Sequence, residues 1–261
     1  MPVLDAILES TRKGLPALRL RRVLLERAAG MLPFPANFAA ALRQDRVALI
    51  AEVKRRSPSA GAINEELDPV ELARAYSRGG AAAISVLTDG PFFGGSLEDL
   101  AAVTGAVPTP VLRKDFILDE VQLLEARAAG AAAALLIVRA LDPNVLQQLL
   151  QFAGEIGLAA LVETHSATEV SIALDAGAQI IGVNARDLDT FAIDRAAAWQ
   201  LLALVPPGLV AVAESGMATG DDVEAAAASG ADAVLIGSAL AASGDPESGA
   251  RSVSEVLRRG R

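Results

Sequence analysis

The chain has 261 residues, 52% of them hydrophobic and 21% charged, which is enough apolar content to fill a core and excludes a disordered segment. A net charge of −9 argues against a general binder of nucleic acid or of anionic membranes. There is no Cys, which removes disulfides, thiolate metal sites and Cys nucleophiles together and suits a cytoplasmic enzyme.

Met1 to Glu9 carries two acids and no long apolar run, so it does not read as a signal peptide. No stretch approaches the ~18–20 apolar residues of a membrane span. Up to residue 46 the apolar residues recur at helical spacing (Leu4, Ile7, Leu8; Leu20, Val23, Leu24). This segment reads as one or two helices, an N-terminal extension packed on a body spanning 47–261.

The body begins with the apolar run Val47–Val53, followed by the helix start Asp68-Pro69. Gly79-Gly80-Ala81 then leads into Ala82–Leu87. Ser96 opens a helix before Pro110–Arg113, and Asp119 opens another that ends at Gly130-Ala131 before Ala132–Val138. Asp142-Pro143 precedes Leu158–Val162. Ser166 precedes Gly177-Ala178 and Ile180–Val183. Asp194 precedes Leu209–Ala213, and Thr219 precedes Gly230-Ala231 and Ala233–Gly237. Short continuous apolar runs are strands buried on both faces, as in parallel sheets. Ser, Thr and Asp are N-caps, Pro suits the first helical turn, and Gly supplies the left-handed end. Eight such strand–helix units predict a closed α/β barrel in one domain. An open doubly wound sheet usually has fewer strands and a G-x-G-x-x-G loop after the first, which this chain lacks.

In closed barrels the chemistry sits at the C-terminal ends of the strands. Those ends carry Glu52, Lys54 and Ser57; Lys114, Asp115 and Phe116; Glu163; Asn184 and Arg186; Glu214-Ser215-Gly216; and Gly237-Ser238. Of 23 basic residues only three are lysine (Lys13, Lys54, Lys114), and two of these stand at strand ends. A lysine pKa shifts readily on burial, whereas arginine holds its proton, so the choice of lysine suits proton transfer. Gly after the seventh and eighth strands lets backbone N–H groups approach a phosphate closely. His165 is the only histidine and cannot by itself make a three-ligand zinc site; it reads as solvent-facing or as standing behind the site. Trp199 reads as helix-on-barrel packing.

Ala51-Glu52-Val53-Lys54-Arg55-Arg56-Ser57-Pro58-Ser59, Phe93-Gly94-Gly95-Ser96-Leu97, Leu112-Arg113-Lys114-Asp115-Phe116-Ile117, Leu161-Val162-Glu163, Ile181 to Leu188, Ala213-Glu214-Ser215-Gly216 and Leu235-Ile236-Gly237-Ser238 occur in that order. Together they resemble the indole-3-glycerol-phosphate synthase family of tryptophan biosynthesis, over about residues 3 to 240. The resemblance implies a (β/α)8 TIM barrel with an N-terminal helical extension. It implies closure, decarboxylation and dehydration of 1-(2-carboxyphenylamino)-1-deoxyribulose 5-phosphate to indole-3-glycerol phosphate, a lyase reaction with no cofactor and no metal. The catalytic set it implies is Lys114 as general acid of ring closure, Glu163 as base or cation stabiliser, Lys54 on the substrate carboxylate, Glu52 orienting the lysines, Asn184 on a substrate hydroxyl, and Ser215. Arg186 and Glu214 are implied as substrate contacts, Arg186 at the carboxylate end. Ser57, Ser215, Gly216, Gly237 and Ser238 are implied at the phosphate. Phe93, Phe116, Leu135 and Leu188 are implied as the wall of the aromatic ring. The expected partner is a small phosphorylated substrate, with no nucleic acid and no membrane. The chain is expected to be a monomer, with association with other pathway enzymes left open. The alternative reading is another phosphate-binding barrel enzyme, an isomerase or a Schiff-base aldolase.

Overall fold

Every strand run expected from the sequence forms a strand of one closed parallel ring. The computed structural model describes residues 3–58, 61–62 and 66–259; Ser59 of the first motif lies outside the described residues. The strands are β1 (Ala48–Val53), β2 (Ala83–Leu87), β3 (Val111–Lys114), β4 (Ala133–Ile137), β5 (Ala159–Thr164), β6 (Ile180–Asn184), β7 (Val210–Glu214) and β8 (Ala233–Ile236). Each pairs in parallel with its sequence neighbour, and β1 pairs with β8 through Ala48↔Ala233 to Ala51↔Ile236. With helices between the strands, this is a (β/α)8 TIM barrel.

The strand runs are apolar throughout because they separate two cores. Ala48 and Ile50 face the barrel interior with Leu112, Leu135, Leu161, Val212 and Leu235. Leu49, Ala51 and Val53 face the surrounding helices, as do Leu136, Val162 and Val234. Successive strand residues point to opposite faces, so one parity lines the bore and the other the helix layer.

Helices α1 (Val3–Arg19), α2 (Arg22–Met31) and α3 (Phe38–Ala41) precede the barrel. The barrel helices are α4 (Pro69–Arg78), α5 (Leu97–Ala106), α6 (Glu120–Ala128), α7 (Pro143–Glu155), α8 (Ala167–Asp175), α9 (Arg195–Leu202), α10 (Gly220–Ala228) and α11 (Pro246–Ser254). All seven expected caps accept a first-turn backbone N–H: Asp68, Ser96, Asp119, Asp142, Ser166, Asp194 and Thr219. Gly80, Gly130, Gly177 and Gly230 follow their helices with φ of 92°, 86°, 89° and 101°.

Leu4, Ile7 and Leu8 are buried, as their spacing predicts. Leu20, Val23 and Leu24 are not: they are 89%, 75% and 68% exposed. The buried side of α2 is instead Leu25 and Ala29, with Leu25 in one cluster with Val121 and Leu124 of α6. Arg19 at the end of α1 pairs with Asp119 at 2.6 Å and Arg22 of α2 with Glu120 at 2.9 Å along the rim of that contact. Periodicity identified an apolar stripe, but the packing on α6 uses the other face. The sequence reading also passed over the short hairpin of Arg56–Ser57 with Gly61–Ala62, the single turns Gly90–Phe93 and Ser238–Ala241, and α11.

Candidate active site

The inward parity of the strands ends in ionisable groups at the C-terminal rim. Above Ala48 and Ile50 on β1 stands Glu52; above Leu112 on β3, Lys114; above Leu161 on β5, Glu163. Gly182 and Asn184 top β6, and Glu214 tops β7. These groups line a cavity of about 280 Å³. All sixteen residues singled out from the sequence line this one cavity. They are Glu52, Lys54, Ser57, Phe93, Lys114, Phe116, Leu135, Glu163, Asn184, Arg186, Leu188, Glu214, Ser215, Gly216, Gly237 and Ser238.

Two lysine–glutamate pairs face it. Lys54 Nζ donates to Glu52 Oε1 at 2.5 Å, and Lys114 Nζ lies 3.4 Å from Glu163 Oε2. Glu52 and Glu163 are 5% and 1% exposed. Burial pushes both carboxyls up, but the lysines outweigh it. Lys54 and Lys114 hold Glu52 below its ordinary value, and Lys114, His165 and Asn184 do the same for Glu163. Burial likewise works against the charge of Lys114, yet Glu163, Glu214 and Glu52 together raise its pKa. The sequence argument favoured a lysine that sheds its proton readily; the surrounding acids, Glu163 foremost, do the opposite. Such an ammonium keeps its proton until a strongly basic oxygen develops beside it.

Glu214 behaves differently. It is 2% exposed, with no lysine pair of its own, and burial and then the neighbouring Glu163 raise its pKa well above the ordinary value. The fold therefore favours its protonated form, hydrogen-bonded to Glu163. Two glycines make room for these acids. A Cβ at Gly237 would overlap Glu52 Oε1, and one at Gly182 would meet Glu214.

At the β7 end of the rim Ser215 has φ +68° and Gly216 φ +80°, a backbone path that L side chains rarely take. It leads into the capping box of Thr219 and Asp222 at the start of α10. Opposite, Phe93 and Phe116 stand 6.1 Å apart, tilted by 35°. The β3 end is anchored from behind by a buried network. Arg113 donates to Asp115 at 2.8 Å and to the Gln122 carbonyl at 2.8 Å, and pairs with Glu125 at 3.0 Å. Asp115 also accepts from Thr88 and from the Phe116 N–H. Asn184 Oδ1 accepts the Arg186 N–H at 3.0 Å.

Sequence reasoning left out Gly182, although an isolated Gly inside an apolar strand signals a close approach. It also left open which way His165 faces: the side chain is 4% exposed and lies against Glu163. Trp199 packs on the helix-layer core as expected. Among the described residues no three His, Cys, Asp or Glu side chains are grouped to hold a metal ion, and no helix is long and apolar enough to cross a membrane.

A sequence model of the family described as indole-3-glycerol phosphate synthase matches residues 4–253. The indole-3-glycerol phosphate synthase of Mycobacteroides abscessus is 49% identical over 246 residues, covering 94% of this chain and 90% of that protein. Indole-3-glycerol phosphate synthase 2 of Streptomyces coelicolor is 52% identical over 230 residues, covering 88% of this chain and 89% of that one. Among solved structures, 3-hexulose-6-phosphate synthase from Salmonella typhimurium superposes with a TM-score of 0.63 at 22% identity, over 81% of this chain and 98% of that chain, a likeness of fold alone. With the family model spanning nearly the whole chain and relatives at about half identity, the chain belongs to the indole-3-glycerol phosphate synthase family.

Proposed function

We propose that this chain is a carboxy-lyase that converts 1-(2-carboxyphenylamino)-1-deoxyribulose 5-phosphate to indole-3-glycerol phosphate, CO2 and water. The observation that carries the reading is the gathering of two lysines and three glutamates at one mouth, between an aromatic wall and a Gly-Ser rim.

The chemistry needs such a set. When the ring carbon bearing the carboxylate attacks the ketone, an alkoxide develops and must be protonated; Lys114 is the donor. Loss of CO2 is favoured when the carboxylate is bound by a cation and then held against apolar groups. Lys54 and Arg186 serve the carboxylate, with Phe93, Phe116, Leu135 and Leu188 as the wall. Rearomatisation removes a C–H proton and expels the hydroxyl as water. Glu163 takes the C–H proton. Lys54, freed once CO2 has left, gives the proton that lets the hydroxyl depart as water. Asn184 holds that hydroxyl, and Glu52 keeps Lys54 charged and oriented. Ser57, Ser215, Gly216, Gly237 and Ser238 bind the phosphate, and Glu214 completes the substrate contacts. The proposed partner is this small phosphorylated molecule, with the chain acting as a monomer in the cytoplasm.

The test is to mix the protein with the carboxyphenylamino-deoxyribulose phosphate and follow indole fluorescence. Appearance of the indole product with release of one CO2 supports the reading. No product, or covalent trapping of a lysine by borohydride with a sugar phosphate, would replace it with an aldolase.

A further inference from the structure

Glu163 is gripped from two sides. Its Oε2 lies 3.4 Å from Lys114 Nζ, while its other oxygen, Oε1, lies 3.4 Å from Nε2 of His165. His165 follows β5, two residues after Glu163, and its side chain is 4% exposed. Nε2 has no completed hydrogen bond among the described residues, so a buried polar nitrogen is aimed at one carboxylate oxygen. A buried donor or acceptor left unpaired costs its desolvation, which favours use of the contact with Glu163. Hydrogen bonds among catalytic groups are also commonly long before substrate arrives.

The imidazole is itself held in place. Its Nδ1 lies 3.3 Å from Glu169 Oε2, and the same oxygen accepts the His165 backbone N–H at 2.8 Å. Glu169, in the first turn of α8, is 3.3 Å from Arg139, which also reaches Asp187 at 3.5 Å. The charged groups around this array are therefore Glu163 of β5, Glu169 of α8, Arg139 after β4, and Asp187 and Asp189 after β6. Lys114, Asn184 and Glu214 also act on Glu163.

We propose that His165 is a positioning residue for Glu163, its imidazole steadied by Glu169 so that the carboxylate is presented to the cavity in one orientation. The proposal rests on the synthase reading for the step that Glu163 performs, and acts through Glu163 alone. His165 also helps keep Glu163 ionised, because the imidazole lowers the pKa of its neighbour.

The test compares His165→Leu with His165→Gln, whose amide N–H can reach toward Oε1. For His165→Leu the expected result is a fall in kcat of about 10–100-fold, the loss a misplacement of about 1 Å produces, with KM unchanged. Its low-pH limb of kcat should move to higher pH, and His165→Gln should recover most of kcat. On a Glu163→Gln background His165→Leu should cost nothing further. Equal kcat and an unmoved limb in folded His165→Leu would overturn the proposal, as would an undiminished loss on the Glu163→Gln background. If His165→Leu does not fold, His165→Gln and Glu169→Gln decide the matter. The limb must then move upward in Glu169→Gln, and no movement overturns the proposal. A wild-type protein that makes no indole product sinks the synthase reading instead. The Glu163 carboxyl titration, followed by 13C NMR in wild type and His165→Leu, then still decides whether His165 acts on Glu163.

Discussion

A Cβ at position 182 would overlap Oε1 of Glu214, so the bare backbone of Gly182 is what admits the Glu214 carboxyl to the barrel wall. Gly182 pairs with Glu163 on β5, while Asn184, two residues on, pairs with Glu214 on β7. The gap thus lies between the two acids that hydrogen-bond each other. Gly182→Ala is expected to cost about 1–3 kcal/mol through overpacking and to lower turnover by displacing Glu214. Thermal unfolding and kcat measured together check this. Unchanged values would mean that Glu214 can turn aside freely.

Lys114→Ala should reduce turnover by roughly 10²–10⁴-fold, the range for one general acid, with the fold intact by circular dichroism. Lys114→Arg should restore the charge beside Glu163 but little of the rate, since a guanidinium does not release its proton. Turnover near wild type in either variant would remove Lys114 from the proton-donor role.

The buried acids predict a stability maximum in pH. Glu52 and Glu163 lie below the ordinary value of 4.5 in the folded state. Their contribution is complete above 4.5 and is lost as pH falls through the lower folded value. Glu214 has the opposite sign: its folded value is raised, so its contribution is complete below 4.5 and fades as pH rises through that raised value. Urea midpoints measured against pH should fall off on both sides. Glu214→Gln, an uncharged stand-in for the protonated acid, should flatten the alkaline side. An alkaline slope identical in Glu214→Gln and wild type would count against this assignment.

Arg113→Leu should lose about 3–5 kcal/mol, because Asp115 and Glu125 would remain buried without their cation. Turnover should fall too, since the same network fixes the backbone carrying Lys114 and Phe116. Denaturant unfolding gives the first quantity, and an unshifted midpoint would show the network to be dispensable.

Ser238→Ala should raise KM by roughly tenfold with kcat little changed, the mark of a contact made equally in the ground and transition states. A hydrogen bond to a charged group is worth about 1.5–3 kcal/mol, which sets that scale. A selective fall in kcat would mean instead that the phosphate end is coupled to the chemistry.

The barrel was legible because its strands are buried on both faces and its helices begin on Ser, Thr or Asp. Each signal is local, and each reflects a backbone requirement that does not depend on distant partners. Most of the candidate residues were legible as groups at strand ends, whereas Phe93, Leu135 and Leu188 came from the family resemblance alone; all of them line one cavity. What was hidden depends on contacts distant in sequence. The buried side of α2 is the one that meets Val121 and Leu124 of α6, residues far along the sequence. The raised pKa of Lys114 was missed because no local pattern reveals acids converging on it from separate strands, Glu163 of β5 foremost. The orientation of His165 depends on Glu163 and Glu169 together, and the role of Gly182 on a side chain from the adjacent strand.

The two parities of each strand have an evolutionary corollary. Apolar flooring and reactive rim belong to one lining, and only height along the strand separates what closes the ring from what transforms the substrate. New chemistry can therefore be written at the uppermost storey, at Glu52, Lys114, Glu163, Asn184 and Glu214, while the storeys below go on holding the ring shut. The same design makes the wall intolerant of frame. One residue inserted low in β5 would swing Glu163 out among the helices and put its apolar neighbour in its place.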